Sequence, residues 1–256
     1  MIELRTPDEI DRMRPAGAFV ASVLEATRAA AAPGVDLLDL DALAHDMIRE
    51  RGAESSYLDY HPSFGASPFG KVICTSVNDA ALHGLPHRYR LREGDLLSLD
   101  FACAVDGWVA DSAVSFVVGA EPTPDDRRLI ETCERALEAG IAAAQPGGKL
   151  GDVSAAIGDV ARGAGFSVNL QFGGHGVGTT MHGDPHVPND GRAGRGWPLR
   201  PGLVIAIEPW LMLGTDEIVT DADGWTLRSA DGSRAAHAEH TVAVTADGPL
   251  VLTARG

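Results

Sequence analysis

The same helix-start signal occurs twice in this chain, once near the beginning and once near the middle: Thr6-Pro7-Asp8-Glu9 and Thr123-Pro124-Asp125-Asp126. Each places a Thr at the N-cap, Pro at the first helical position and acids in the first turn. Apolar residues then recur at helical spacing, first at Ile10, Met13, Ala16, Val20, Val23 and Leu24, and later at Leu129, Ile130, Cys133, Leu137 and Ile141. Pro33-Gly34 and Pro146-Gly147 close the two helices. Each closure is followed by a further helical segment, Asp39-Leu40-Asp41-Ala42 in one case and Asp152-Val153-Ser154-Ala155 in the other. Two echoes in register predict an internal duplication with halves of about residues 1–120 and 121–256. Pro15 lies inside the first helix and predicts a kink or a loosened turn there. The second helix of each half is expected at about Leu38 to Arg51 and Asp152 to Gly163.

After each helix pair the period shortens to that of a strand. Lys71 to Val77, Leu96 to Ala102 and Trp108 to Val118 read as strands in the first half. Leu203 to Ile207, Glu217 to Thr220, Trp225 to Arg228 and Glu239 to Val244 do so in the second. Residues Asn189 to Arg200 read as a loop. No low-complexity linker separates the halves, so residues 1–256 are expected to form one α/β (α+β) domain, its two sheets packed together under four helices.

Composition narrows the function. A formal net charge of −15 speaks against sequence-independent nucleic-acid binding, which needs Lys and Arg to displace counterions, and against docking on an anionic membrane. The three cysteines, Cys74, Cys103 and Cys133, are odd in number and lack Cys-x-x-Cys spacing, so neither a disulfide framework nor a zinc knuckle is expected. The mixed charges of Met1 to Arg14 do not resemble a secretory signal, and no apolar run approaches the ~20 residues of a membrane span. The expected address is the cytoplasm.

The acids carry the chemistry. In Leu96-Leu97-Ser98-Leu99-Asp100-Phe101-Ala102-Cys103-Ala104-Val105-Asp106-Gly107-Trp108-Val109-Ala110-Asp111, Asp106-Gly107 is a hairpin turn signal. Folding there brings Asp100 and Asp111 nearly opposite each other on one face. Two carboxylates in an apolar hairpin repel and lose hydration unless a cation lies between them. The alternative, one exposed Asp and one capping a turn, stays open on these residues alone. Glu208 ends the apolar run Val204-Ile205-Ala206-Ile207, stopped by Pro209, and Glu239 leads into His240-Thr241-Val242-Ala243-Val244. His175, in Gly173-Gly174-His175-Gly176-Val177-Gly178, has flanks that let backbone approach whatever the imidazole binds; a single such His is as readily structural. Together, four acids beside core strands and one imidazole suit two divalent ions of the Mn, Fe, Co or Zn type, and two such ions can activate water for hydrolysis.

In order and spacing these residues resemble the methionine aminopeptidases over nearly the whole chain, about Glu3 to Thr253. The resemblance implies the pseudo-two-fold pita-bread fold, an antiparallel sheet flanked by four helices. It implies a metal-dependent aminopeptidase that removes the initiator methionine of nascent proteins, preferably when the second residue is small. Asp100 would hold one ion, Asp111 and Glu239 both, and His175 and Glu208 the other, with Glu208 also taking a proton from the attacking water. His83, in Ala81-Leu82-His83-Gly84, matches the family histidine that contacts substrate and assists the tetrahedral intermediate. His182, in Met181-His182-Gly183, matches the one at the scissile amide. The methionine pocket would include Phe69, Cys74, Met181 and Trp225.

The 26 residues between His182 and Glu208 leave no room for the insert of the second type, so the likeness is to type I, without an amino-terminal extension. Ser63 and Ala66 are expected where relatives often carry Cys and Tyr, implying a pocket of altered shape, and Gly183 stands where an acid is common. The likeness also implies a monomer with at most a transient ribosome contact, no membrane partner and no sequence-specific nucleic acid. Two alternatives remain: an Xaa-Pro aminopeptidase or prolidase-type hydrolase on the same fold, and a pita-bread binding protein without catalysis.

Overall fold

A computed structural model describes residues 2–62 and 67–255. Helices α1 (Pro7–Ala30) and α2 (Leu37–Arg51) open the chain, and α3 (Pro124–Ala143) and α4 (Leu150–Gly163) open its second half. The duplicated start signal acts as expected. The Thr6 hydroxyl accepts from the Glu9 N–H while the Glu9 carboxylate accepts from the Thr6 N–H, and Thr123 accepts from the Asp126 N–H. Each such cap contributes about 1 kcal/mol. Helix α1 runs through Pro15 without a break. The backbone bond lost there is offset by burial of Met13, Ala16, Val20 and Leu24 along one face.

The strands, in chain order, are β1 (Glu54–Ser55), β2 (Cys74–Val77), β3 (Ala80–Leu82), β4 (Leu96–Val105) and β5 (Trp108–Val117) in the first half. The second half adds β6 (Gly174–Gly176), β7 (Gly183–Val187), β8 (Val204–Ile207), β9 (Trp210–Met212), β10 (Ile218–Thr220), β11 (Leu227–Ser229), β12 (Ala235–His237), β13 (Glu239–Thr245) and β14 (Gly248–Val251). Strands β4 and β5 form the expected hairpin, paired from Leu96↔Val117 to Val105↔Trp108. Its turn takes positive φ at both Asp106 (51°) and Gly107 (78°), the requirement of a two-residue hairpin that matches strand twist.

The expectation of two packed sheets is corrected. Described strands from both halves share one nine-stranded antiparallel sheet in the order β1-β4-β5-β13-β8-β6-β7, with β2 on β4 and β14 on β13. The halves meet at β5 and β13 through Glu239↔Ala113 and His240↔Ser112. Two separate sheets would each leave an edge of unpaired N–H and C=O groups at this point; joining them satisfies part of both. Two smaller sheets, β10-β11-β3 and β12-β9, hold the remaining described strands.

Strand alternation then decides what faces what. On β4, Leu97, Leu99, Phe101 and Cys103 pack with Val20, Leu24 and Leu40 of α1 and α2. On β8 and β13, Ile205, Ile207, Val242 and Val244 pack with Leu129, Cys133, Val153 and Ile157 of α3 and α4. Since side chains alternate, Asp100, Asp111 and Glu239 are left on the face away from the helices. Ala102, Val109, Val204 and Ala243 share a separate apolar cluster with Phe69, Cys74, Met181 and Trp225. Among the described residues no helix is long and apolar enough to cross a membrane.

Candidate active site

The register places the acids in a row. Asp100 pairs with Cys74 on one side and Ala113 on the other, and Ala113 pairs in turn with Glu239. Cys74, Asp100, Ala113 and Glu239 therefore cross four strands on one face, with the small Ala113 leaving open space between two carboxylates. Asp111 lies two residues from Ala113 on the same face, diagonal to Asp100, since its direct partner is Ala102. Glu208 stands just beyond the end of β8, its backbone carbonyl bonded by the Asn189 side chain at 3.0 Å.

His175 closes the group. Its Nε2 lies 3.5 Å from Glu208 Oε1 and 3.8 Å from Asp111 Oδ2. The flanking glycines are needed for this approach: a Cβ on Gly174 would lie 2.1 Å from the Ala206 carbonyl, and one on Gly176 would lie 2.0 Å from that of Asp184. Ligand atoms of Asp111, His175 and Glu239 lie within 4.8 Å of one another.

Burial sets the charges. Loss of hydration raises Asp100 to about 6, and raises Glu208 to about 8 with the Asp100 charge adding to it. Asp111 and Glu239 are pushed well above the usual carboxylate range, by burial first and then by neighbouring carboxylates. The imidazoles go the other way: burial lowers His175 to about 3, and His83 and His182 to about 4, with His182 also opposing a charge on the first two. They are neutral nitrogen donors at pH 7. Among the described residues no Lys or Arg forms an ion pair with these acids, and the buried Glu239 Oε1 has no hydrogen-bond partner. Four crowded acids, an orphaned carboxylate oxygen and a neutral imidazole fit divalent cations, which alone of the available partners would cancel so much negative charge in so little space.

The acids form the floor of a cavity of about 300 Å³, and every sequence-expected site residue lines it: Phe69, Cys74, His83, Asp100, Asp111, His175, Met181, His182, Glu208, Trp225 and Glu239. The apolar wall is aromatic, with Phe69 edge-on to Trp225 at 5.2 Å. His83 sits at φ 55°, an uncommon conformation for a side-chain-bearing residue, and meets Phe172 edge-on at 5.4 Å. His182 contacts His175 at 4.3 Å between ring centroids, and its Nδ1 is 2.9 Å from the Tyr60 hydroxyl.

Sequence reasoning passed over several participants. Tyr57 and Tyr60 line the cavity, while Ser63 and Ala66, the positions expected to shape it, lie outside the described residues. Tyr57 donates to Asp100 Oδ1 at 2.5 Å. His237 is buried with its Nε2 unpartnered, 3.8 Å from Glu208 Oε2. A buried tyrosine one residue past Ser55-Ser56 and a histidine inside the apolar Ala235-Ala236-His237-Ala238 were the available signals.

Sequence and fold both match known proteins. The model of metallopeptidase family M24 matches residues 11–246. The chain is 47% identical over 260 residues to methionine aminopeptidase 1 of Mycobacterium tuberculosis, covering 99% of this chain and 95% of that one. It superposes on the solved methionine aminopeptidase of Thermotoga maritima with a TM-score of 0.93 and 36% identity, over 99% of each chain. The prolidase from Pyrococcus furiosus shares the fold, at a TM-score of 0.78 and 21% identity over 99% of this chain and 66% of that one. The chain belongs to metallopeptidase family M24 and, within it, to the methionine aminopeptidases. Its fold is that of these neighbours, and the metallo-exopeptidase reading stands over both the Xaa-Pro hydrolase and the binding-protein alternatives.

Proposed function

We propose that the chain removes the N-terminal methionine of newly made proteins with two divalent ions held by Asp100, Asp111, His175, Glu208 and Glu239. The observation that carries this is the row of buried carboxylates facing an aromatic cavity. When bound, two such ions supply an activated water and polarise the scissile carbonyl.

The chain's own residues do the rest. Phe69, Met181 and Trp225 surround the thioether side chain, a soft group that suits polarizable and aromatic walls, and exclude water from it. Glu208, whose two oxygens face different imidazoles, takes a proton at a carboxylate oxygen and returns it to the leaving amine. His83 and His182, neutral at pH 7, donate or accept hydrogen bonds at the scissile amide without adding a charge that would repel cations. The limited cavity favours a small second residue. Residues 1–256 act as one catalytic domain in this reading. A cytoplasmic address and a passing ribosome contact fit a substrate carried by freshly synthesised chains, and the reading takes the enzyme as a monomer.

The test is release of free methionine from a Met-Ala-Ser peptide after EDTA treatment and after return of Mn, Co, Fe or Zn, with an Ala-Pro peptide alongside. Metal-dependent cleavage of the Met peptide alone is expected. Cleavage of the Pro peptide alone would overturn the specificity, and no turnover with any metal on folded protein would overturn the enzyme reading.

A further inference from the structure

We propose that Tyr57 is a positioning residue whose phenol hydroxyl selects which oxygens of Asp100 and Asp111 face the ions; this rests on the ligand roles proposed above. The local sequence aims it there. Strand β1 pairs with β4 at Ser55↔Cys103, and the Ser55 hydroxyl accepts from the N–H groups of Tyr57 (3.2 Å) and Leu58 (3.1 Å), turning the chain inward. The Tyr60 N–H then bonds the Tyr57 carbonyl at 2.9 Å. The ring is 7% exposed and packs edge-on against Phe69 at 5.7 Å.

Held this way, the hydroxyl donates to Asp100 Oδ1 at 2.5 Å and lies 3.3 Å from Asp111 Oδ1. The other Asp111 oxygen, Oδ2, is the one that faces His175. One hydroxyl thus takes up one oxygen of each carboxylate and, at Asp111, leaves the other to the cluster with His175. A donor is what this position needs. An ammonium or guanidinium would neutralise the acids and compete with a divalent ion, whereas a phenol orients them and stays neutral. Because the ring also lines the aromatic cavity, Tyr57 joins the substrate wall to the carboxylate pair.

The experiment compares wild type and Tyr57→Phe, which keeps the ring and removes the hydroxyl. Mn2+ binding is followed by calorimetry, melting of the EDTA-treated protein is recorded, and kcat and KM on Met-Ala-Ser are measured at saturating Mn2+. The expected result is a ~10–100-fold weaker dissociation constant, the usual effect of removing a ligand's supporting hydrogen bond. It should be largest at the binding step that engages Asp100, to which the hydroxyl donates, with melting unchanged and KM within about two-fold. Unaltered or tighter Mn2+ binding in Tyr57→Phe, against a wild type that binds, overturns the inference and leaves the ligand assignment standing. Equal weakening of both steps with a lowered melting temperature overturns it too, by making Tyr57 a packing residue. A wild type that takes up no Mn2+ overturns the ligand assignment and this inference with it.

Discussion

Stripping divalent ions should make the protein less stable as pH rises from 7 to 8, and restoring Mn2+ should abolish that dependence. Without a cation, burial and the Asp100 charge hold Glu208 at about 8, whereas a Glu in an unfolded chain titrates near ~4.3. A group whose folded pKa is raised contributes its stabilisation in full below the unfolded pKa and loses it as pH rises through the folded one. From pH 7 to 8 Glu208 alone therefore removes about 1 kcal/mol. Asp111 and Glu239 move in the same direction, so three retained protons would set an upper figure of about 4 kcal/mol. Asp100, at about 6, has given up most of its proton before the window opens.

The window avoids the histidines. Burial lowers His83, His182 and His240 to about 4, and His175 and His237 to about 3. For these the sign is opposite: their contribution grows with pH up to the unfolded value of ~6.5 and is complete above it. At about 2–4 °C per kcal/mol for a chain of this size, the EDTA-treated protein should melt at least ~2 °C lower at pH 8 than at pH 7. The Mn2+-loaded protein serves as the reference that cancels ionisations elsewhere, the three buried cysteines included. Calorimetry at pH 7.5 in two buffers of different ionisation enthalpy should show ~1–3 protons released as Mn2+ binds. A melting temperature that is flat or rising across the window, or uptake of Mn2+ without proton release, would refute the reasoning.

Three further outcomes follow from the geometry. Asp111→Ala should lose Mn2+ binding and turnover together, by more than the ~10–100-fold typical of supporting residues; full turnover in that variant would remove Asp111 from the site. Ala113→Val should cost about 1–3 kcal/mol by overpacking and weaken Mn2+ binding as well, because the added methyls enter the gap between Asp100 and Glu239; urea melts and titration calorimetry would read the two effects separately. His237→Phe should lower kcat about ten-fold with KM held, if the unpartnered imidazole Nε2, 3.8 Å from Glu208 Oε2, closes on that carboxylate as its supporting donor when ions and substrate are bound, while His237→Gln should recover most of it; equal loss in both variants would make the residue merely structural.

Much of the fold was legible because its signals are local. The Thr-Pro-acid starts, the Pro-Gly stops and the Asp106-Gly107 turn each specify backbone over a few residues, and the elements they bound are within a few residues of expectation. What local pattern cannot carry is the joining of the halves into one sheet. That depends on β5 meeting β13 across more than a hundred residues, with nothing in either strand naming its partner. The short strands β3, β6, β9 and β12 were missed since three residues hold no period. At the site, the acids were visible as charges stranded in apolar runs. Tyr57 and His237 were not, because a buried phenol or imidazole looks like ordinary core until a carboxylate is found beside it. The pocket wall was read as far as Phe69, Cys74, Met181 and Trp225, but Tyr57 and Tyr60, which also line it, were passed over, because in a loop spacing along the chain does not fix which residue turns inward.

The seam between the halves explains why the ligands can be so crowded. Backbone pairing of β5 with β13 is confined to two residue pairs, and side chains complete it. The Thr241 hydroxyl accepts from the Asp111 N–H at 2.9 Å and donates to the Asp111 carbonyl at 2.8 Å, while the Ser112 hydroxyl donates to the Glu239 carbonyl at 2.6 Å. The backbones of two acids that repel are thus tied to each other's strand at the point where repulsion would part them. Asp100 and Asp111 come from the first half, and His175, Glu208 and Glu239 from the second, so neither half holds the full set. Cations bound among these groups would remove the repulsion between halves as well as within each. Metal binding would then tighten the seam between the halves as well as fill the site.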